Sequence, residues 1–139
     1  GVQEGFAIKW IPSSQFFGGR VEANSLVYGA SLLKDQDLGR RWMIANLKGM
    51  RDYYKAFSTG QGRAEIINIL VKHSTVKDPK LYDVMEMSYI DPNGMPDKKS
   101  MESQVRWLTQ AGQYTGKKTL DDIMDLSYLE YALQKLGRQ

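Results

Sequence analysis

DLGRRWMIANLKGMRDYYKAF, residues 37 to 57, decides how the chain is read. Trp42, Ala45, Gly49, Tyr53 and Ala56 recur at the spacing of one helix face, and Met43, Leu47, Met50, Tyr54 and Phe57 widen that face into a stripe. Arg40, Arg41, Lys48, Arg51, Asp52 and Lys55 fall mainly on the other side. So wide an apolar stripe needs a covering layer, because helices in proteins are stabilised mostly by docking their apolar faces. Gly49 in mid-helix costs about 1 kcal/mol relative to alanine, which predicts another backbone passing close to it.

Downstream, the helical period continues. Ser58-Thr59-Gly60-Gln61-Gly62 interrupts it, and Ile66, Ile67, Leu70 and Val71 resume it. Asp78-Pro79 starts a shorter helix with Leu81, Tyr82, Val84 and Met85. Asp91-Pro92-Asn93-Gly94 reads as a type I turn. Asp97 or Ser100 caps a helix through Met101, Gln104, Val105, Leu108 and Ala111, and Thr119 with Asp122 opens another short one. The last helix, SYLEYALQKLG at 127–137, carries a capping box of Ser127 with Glu130, a staple of Leu126 with Tyr131 and a glycine stop at Gly137. Leu129, Ala132, Leu133 and Leu136 are its docking face.

Upstream, the pattern differs. Phe6 to Ile11 is an apolar run stopped by Pro12, Ser13 and Ser14, and Phe16-Phe17-Gly18-Gly19 precedes Val21 to Tyr28. Up to two short strands fit here, with Leu26, Val27 and Tyr28 the most β-like centre and Gly29 a bend after them. The predicted class is thus mostly α with one or two short strands. Two strands alone do not make a stable sheet, so they are expected to pair across chains or with polypeptide outside this sequence.

With 139 residues, 42% hydrophobic and 25% charged, the composition is that of one globular domain. No run approaches the roughly 20 apolar residues of a membrane helix, and GVQEGFAIKW lacks the pattern of a signal peptide. The absence of cysteine excludes disulfides and thiolate chemistry. The net charge of +3 comes from basic residues scattered among acidic ones, not from the stripe that nucleic acid requires.

Motifs for chemistry are sparse. Gly112 to Thr119 imitates a phosphate loop, but its glycine spacing is one short and lysine stands where the magnesium-holding hydroxyl belongs; it reads as a connector. Asp91, Asn93, Asp97 and Glu102 overlap a calcium-loop spacing, yet Pro96 occupies the position of the required glycine, so no metal is assigned. His73 is the single histidine and sits where a cation complements a helix C-terminus. Asp35 with Asp37 and Asp121 with Asp122 suit helix starts, and no catalytic residue is expected. Most aromatics lie at core spacing, whereas Trp10, Phe16, Phe17 and Tyr28 are candidates for lining a pocket.

Three stretches taken in order carry a resemblance: ANLKGMRDY at 45–53, DPNG at 91–94 leading to SMESQVRWL at 100–108, and LDDIMDLSY at 120–128 with Ala132-Leu133 and Leu136-Gly137. From about Val21 to Gly137 the chain resembles the substrate-binding proteins of ABC importers, in the NMT1/THI5-like group that includes aliphatic sulfonate, taurine, nitrate and pyrimidine-precursor binders. Members are about twice as long, with two α/β lobes of the type II periplasmic-binding-protein fold joined by a hinge. The resemblance implies that this chain is the C-terminal portion: residues 1–29 would lead from the second lobe through the hinge, and 30–139 would clad the first. It implies a periplasmic or extracytoplasmic solute receptor that passes a small molecule to a permease without catalysis and without a cofactor. By the same resemblance and their place at a strand end, Asn24, Ser25 and Tyr28 are the expected ligand contacts; Arg20, Arg40 and Arg41 permit an anion, but solvation on a helix surface is their default reading. Helices lacking their sheet are expected to self-associate, with exchange of the N-terminal arm as one route. The alternatives are a self-contained helical protein-interaction module and an enzyme of the pyrimidine-synthesis branch, whose chemistry would fall on His73.

Overall fold

The computed structural model describes residues 2, 4–8, 10, 11, 15, 19 and 21–139. Pro12, Ser13 and Ser14, read as a strand stop, Phe16 and Phe17, read as pocket candidates, and Gly18 and Arg20 lie outside the described residues. The protein is mostly helical: α1 (Ala30–Lys34), α2 (Gln36–Ser58), α3 (Arg63–His73), α4 (Leu81–Val84), α5 (Lys98–Gln110) and α6 (Ser127–Leu136). None of these helices is long and apolar enough to cross a membrane. The chain divides into two compact units, one of residues 28–95 and 125–139, the other of 1–27 and 96–124.

The first unit is built on α2. Asp35 ends the short α1 and caps α2, its carboxylate accepting from the Leu38 amide at 3.0 Å, so one of the open N–H groups of the first turn is satisfied. One face of α2 then meets α6. Met43 and Leu47 pack with Tyr128, Leu129, Ala132 and Leu133 in a single cluster, and Tyr28, Ile44, Met50, Leu126 and Leu136 close its edges. Leu47 has no exposed surface at all; burial of such a side chain contributes about 1.5–3 kcal/mol. Positive φ at Gly60 and Gly62 turns the chain into α3, which buries Ile67. Tyr82 of α4 is buried with its hydroxyl 2.9 Å from Ser74 Oγ and 3.1 Å from the Val76 carbonyl.

Four residue-level expectations need correction here. Gly49 has open space around it, and the close approach falls instead on Gly39, where a Cβ would stand 2.4 Å from the Tyr128 ring. Arg51, assigned to the solvent side, is buried. Its guanidinium donates to the carbonyls of Pro92 at 3.0 Å, Leu136 at 3.2 Å and Gly137, joining the DPNG turn to the end of α6. Ser127 is already inside α6 and is not its cap: Asp125 accepts from the Ser127 amide at 2.9 Å, and the capping box with Glu130 does not form. Gly137 ends the helix at φ +74°, but its ψ of 166° is extended, so the expected left-handed cap does not form.

In the second unit, Glu22 is the fastener. Its carboxylate accepts from the Asp97 amide, its own amide donates to Ser100 Oγ, and its carbonyl accepts from the Gln104 side chain, at 2.9, 2.9 and 2.8 Å. Asp97 caps α5 through the Ser100 amide. Yet α5 buries none of its residues, and Leu120 is the buried hydrophobic residue of this unit among those described. Thr119 and Asp122 make the expected side-chain cap, with Asp122 accepting from the Thr119 amide at 2.7 Å and hydroxyl at 2.9 Å, but residues 121–123 form a turn and not a helix.

No strand forms among the described residues, in place of the one or two expected. Phe6, Ile8 and Trp10 stand 80, 88 and 82% exposed, and Leu26 and Val27 are exposed too. A strand exists only where a neighbour takes up its backbone N–H and C=O groups in a ladder, and none of the described residues forms one with these stretches.

Candidate functional site

Of the expected ligand contacts, Asn24 and Ser25 are exposed residues of irregular chain in the second unit. Tyr28 belongs to the first unit, where it is half-buried against Tyr128 with ring centroids 5.3 Å apart and planes tilted by 51°. Burial, then the Asp125 carboxylate and then Tyr128 push the Tyr28 phenol above its ordinary 10.0. The Tyr128 hydroxyl is held by a 2.7 Å hydrogen bond to the Leu32 carbonyl, which fixes the ring on which Tyr28 leans.

Tyr128 is also a wall of a hollow of about 290 Å³ lined with Leu33, Gln36, Arg40, Asp125 and Ser127. Ligand cavities run from about 300 to 1,000 Å³; this hollow lies just below that range, and of its lining residues only Tyr128 is buried. Local structure sets each polar group. Gln36 and Arg40 are one turn apart at the start of α2, while Asp125 and Ser127 form the entry to α6. The Arg40 guanidinium lies 4.8 Å from the centre of the Tyr131 ring, and no carboxylate or carbonyl among the described residues takes up its N–H groups. Arg40 thus has the two-pronged donor geometry that a planar or tetrahedral anion uses. Arg41, its neighbour, is spent on Asp37 at 2.8 Å.

A second hollow of about 320 Å³ is lined by Tyr53, Tyr54, Phe57, Arg63, Tyr82 and Tyr89, among others. Burial raises the Tyr53 phenol, whose hydroxyl donates to the Ser88 carbonyl at 3.0 Å. Its one cation is already engaged. Arg63 donates to Asp83 and to the Tyr82 carbonyl, each at 2.7 Å, and lies over Phe57 at 5.6 Å. That arrangement braces α3 against α4, whereas none of the described residues takes up the donors of Arg40.

Other motif residues do structural work. Asp91 accepts from the Asn93 amide at 2.8 Å inside the DPNG turn, and among the described residues no group of three or more carboxylates, histidines or cysteines is gathered to hold a metal. Tyr114 closes the glycine-rich connector by donating to the Lys118 carbonyl at 2.7 Å. His73 ends α3 and is exposed. Arg40 and Asp125 were not singled out together by sequence, because 85 positions separate two ordinary surface residue types. No family model matches the chain, and no curated protein or solved structure matches it.

Proposed function

We infer that this chain is part of a solute-binding receptor of an ABC importer, outside the cytoplasmic membrane, which holds a small molecule for a permease and performs no chemistry on it. The order of the 45–53, 91–94, 100–108 and 120–128 stretches motivates the family. The observation that carries the binding role is the hollow walled by Tyr128 and lined by Asp125 and by Arg40, whose donors no described residue takes up. A pocket with one cation, one anion and an aromatic wall suits a compact anionic or zwitterionic solute. Tyr28, leaning on Tyr128 in the same unit, would set ligand shape. In this reading the helices are the cladding of a type II α/β lobe whose strands come from polypeptide outside this sequence.

A thermal-shift panel of sulfonates, carboxylates, aromatic acids and pyrimidines, followed by calorimetric titration, tests it. One class should raise the melting temperature, and Arg40→Ala and Tyr28→Ala should each weaken that titration at least tenfold, which corresponds to about 1.4 kcal/mol. A flat panel, or unchanged affinity in both variants, rejects the receptor reading. The rival, a helical interaction module, is favoured by the exposed apolar residues Leu33, Ile69 and Val84 on the helices of the first unit; it predicts a flat panel.

A further inference from the structure

Two structural demands fall on adjacent residues of the DPNG turn. Gly94 stands at φ +67°, and a Cβ there would meet Leu129 Cδ1 at 3.1 Å, Met50 Sδ at 3.3 Å and Leu47 Cδ1 at 3.5 Å, so the turn reaches the core only with glycine at this position. Asn93 uses its side-chain amide as a clamp: Oδ1 accepts from the Gln139 amide at 2.8 Å, and Nδ2 donates to the Gln139 carbonyl at 2.7 Å. Pro92 gives its carbonyl to Arg51, which also holds the carbonyls of Leu136 and Gly137. Residues 92 and 93 thus both fasten the stretch that ends α6, the first through Arg51 and the second directly. Together the demands set an asparagine side chain before a residue with no side chain, where nothing screens the next backbone nitrogen from the asparagine Cγ.

We propose that Asn93-Gly94 is a modification site, at which the chain converts its own asparagine to aspartate and isoaspartate once Gln139 is released. The Gly94 nitrogen bonds to Asn93 Cγ, the Cγ–Nδ2 bond breaks, and Nδ2 leaves as ammonia with the proton that the Gly94 nitrogen gives up. Water then opens the cyclic imide: attack at Cγ gives aspartate, and attack at the backbone carbonyl carbon gives isoaspartate. The folded chain restrains the reacting groups. The Gly94 N–H is committed to the Asp91 carbonyl at 2.8 Å, the Asn93 N–H to the Asp91 carboxylate at 2.8 Å, and both ends of the side-chain amide to Gln139. The first two ties are local to the turn, whereas the clamp spans 46 positions and ends on an exposed residue beyond the last helix, the kind of segment that opens at low free energy. Conversion removes the Nδ2 donor and sets a carboxylate against the Gln139 carbonyl. As isoaspartate it also adds a methylene to the main chain, between the carbonyl that Arg51 holds and the core contact of Gly94, so the end of α6 is unfastened irreversibly.

The test is the rate of conversion at residue 93 in the intact chain, followed by peptide mapping that separates asparagine, aspartate and isoaspartate, beside a free peptide of residues 89–97 in the same buffer. The wild type should convert at least about tenfold more slowly than the peptide, because it must first open locally. Gln139→Pro lacks the N–H that Asn93 Oδ1 accepts and should convert several-fold faster than the wild type, with its helical circular dichroism retained, since the core between α2 and α6 does not use this residue. Gln139→Ala keeps the backbone clamp and should match the wild type. Asn93→Asp installs one product directly and should lower the urea midpoint. A wild type as fast as the peptide overturns the proposal. So does a folded Gln139→Pro at the wild-type rate, a Gln139→Ala as fast as Gln139→Pro, or an Asn93→Asp with the wild-type midpoint; if Gln139→Pro loses its helical signal, the peptide comparison and Asn93→Asp decide.

Discussion

Two glycines of α2 show how one hydrogen in place of a methyl changes meaning with its surroundings. At Gly39 a Cβ would stand 2.4 Å from Tyr128, whose hydroxyl is anchored on Leu32, so the ring cannot retreat without losing that bond. Gly39→Ala is expected to cost about 1–3 kcal/mol by overpacking. At Gly49 nothing stands within 4 Å, so Gly49→Ala should stabilise the helix by about 0.5–1 kcal/mol; urea denaturation of the two variants checks both signs. Sequence alone pointed to Gly49, because a mid-helix glycine looks costly and a glycine near a helix start looks like punctuation. The partner that makes Gly39 necessary lies 89 positions away.

Tyr28 adds a pH signature at the same scale. Its phenol is raised above 10.0 in the folded chain by burial, Asp125 and Tyr128, so the fold favours the neutral form. That contribution is whole below the unfolded value near 10 and is lost as pH rises through the higher folded value. Tyr53, raised by burial, acts in the same direction. Melting temperatures of the wild type should fall from about pH 10 upward, and Tyr28→Phe should fall less steeply over that window.

Among elements, the apolar faces of α2 and α6 were readable in the sequence from Met43, Leu47, Leu129, Ala132 and Leu133, since helical period reports burial, but their pairing with each other was not, because each face was expected to cover a sheet. Nor was the device that locks the pair. Arg51 sits on the edge of the apolar stripe, and nothing local states that carbonyls at 92, 136 and 137 converge there. Asn93 extends the lock by gripping the backbone of Gln139, accepting from its amide at 2.8 Å and donating to its carbonyl at 2.7 Å. Arg51→Met, which removes the donors and leaves buried acceptors open, is expected to destabilise by about 3 kcal/mol in urea denaturation. Arg51→Lys should recover little of this, since one ammonium cannot reproduce the fork of a guanidinium. The strand expectation at 6–11 and 21–28 failed for the complementary reason: alternation and β-branching describe what a strand would bury, but pairing must be supplied from elsewhere.

At the scale of the molecule, the two units differ in how much interior they own. Hydrogen exchange should therefore separate them: amides of α2 around Leu47 and of α6 should be protected close to the global limit, and those of α5 should exchange through far cheaper openings. The protection of residues near α5 should rise with protein concentration if the apolar surface of that unit is covered by another copy. As for the candidate site, Tyr28 was legible as an aromatic at an element boundary, while the hollow lined by Tyr128, Arg40 and Asp125 exists only where the start of α2 meets the entry to α6.

The placement of the three tryptophans has a spectroscopic consequence. Trp10, Trp42 and Trp107 all keep more than a third of their surface in water, so the native emission of the isolated chain should peak far to the red, close to that of the denatured chain. Unfolding will then barely move the fluorescence maximum, and tyrosine absorbance or ellipticity must follow it instead. A blue-shifted maximum would be a signal of indole rings being covered by another surface, which turns an ordinary emission scan into an assay for docking.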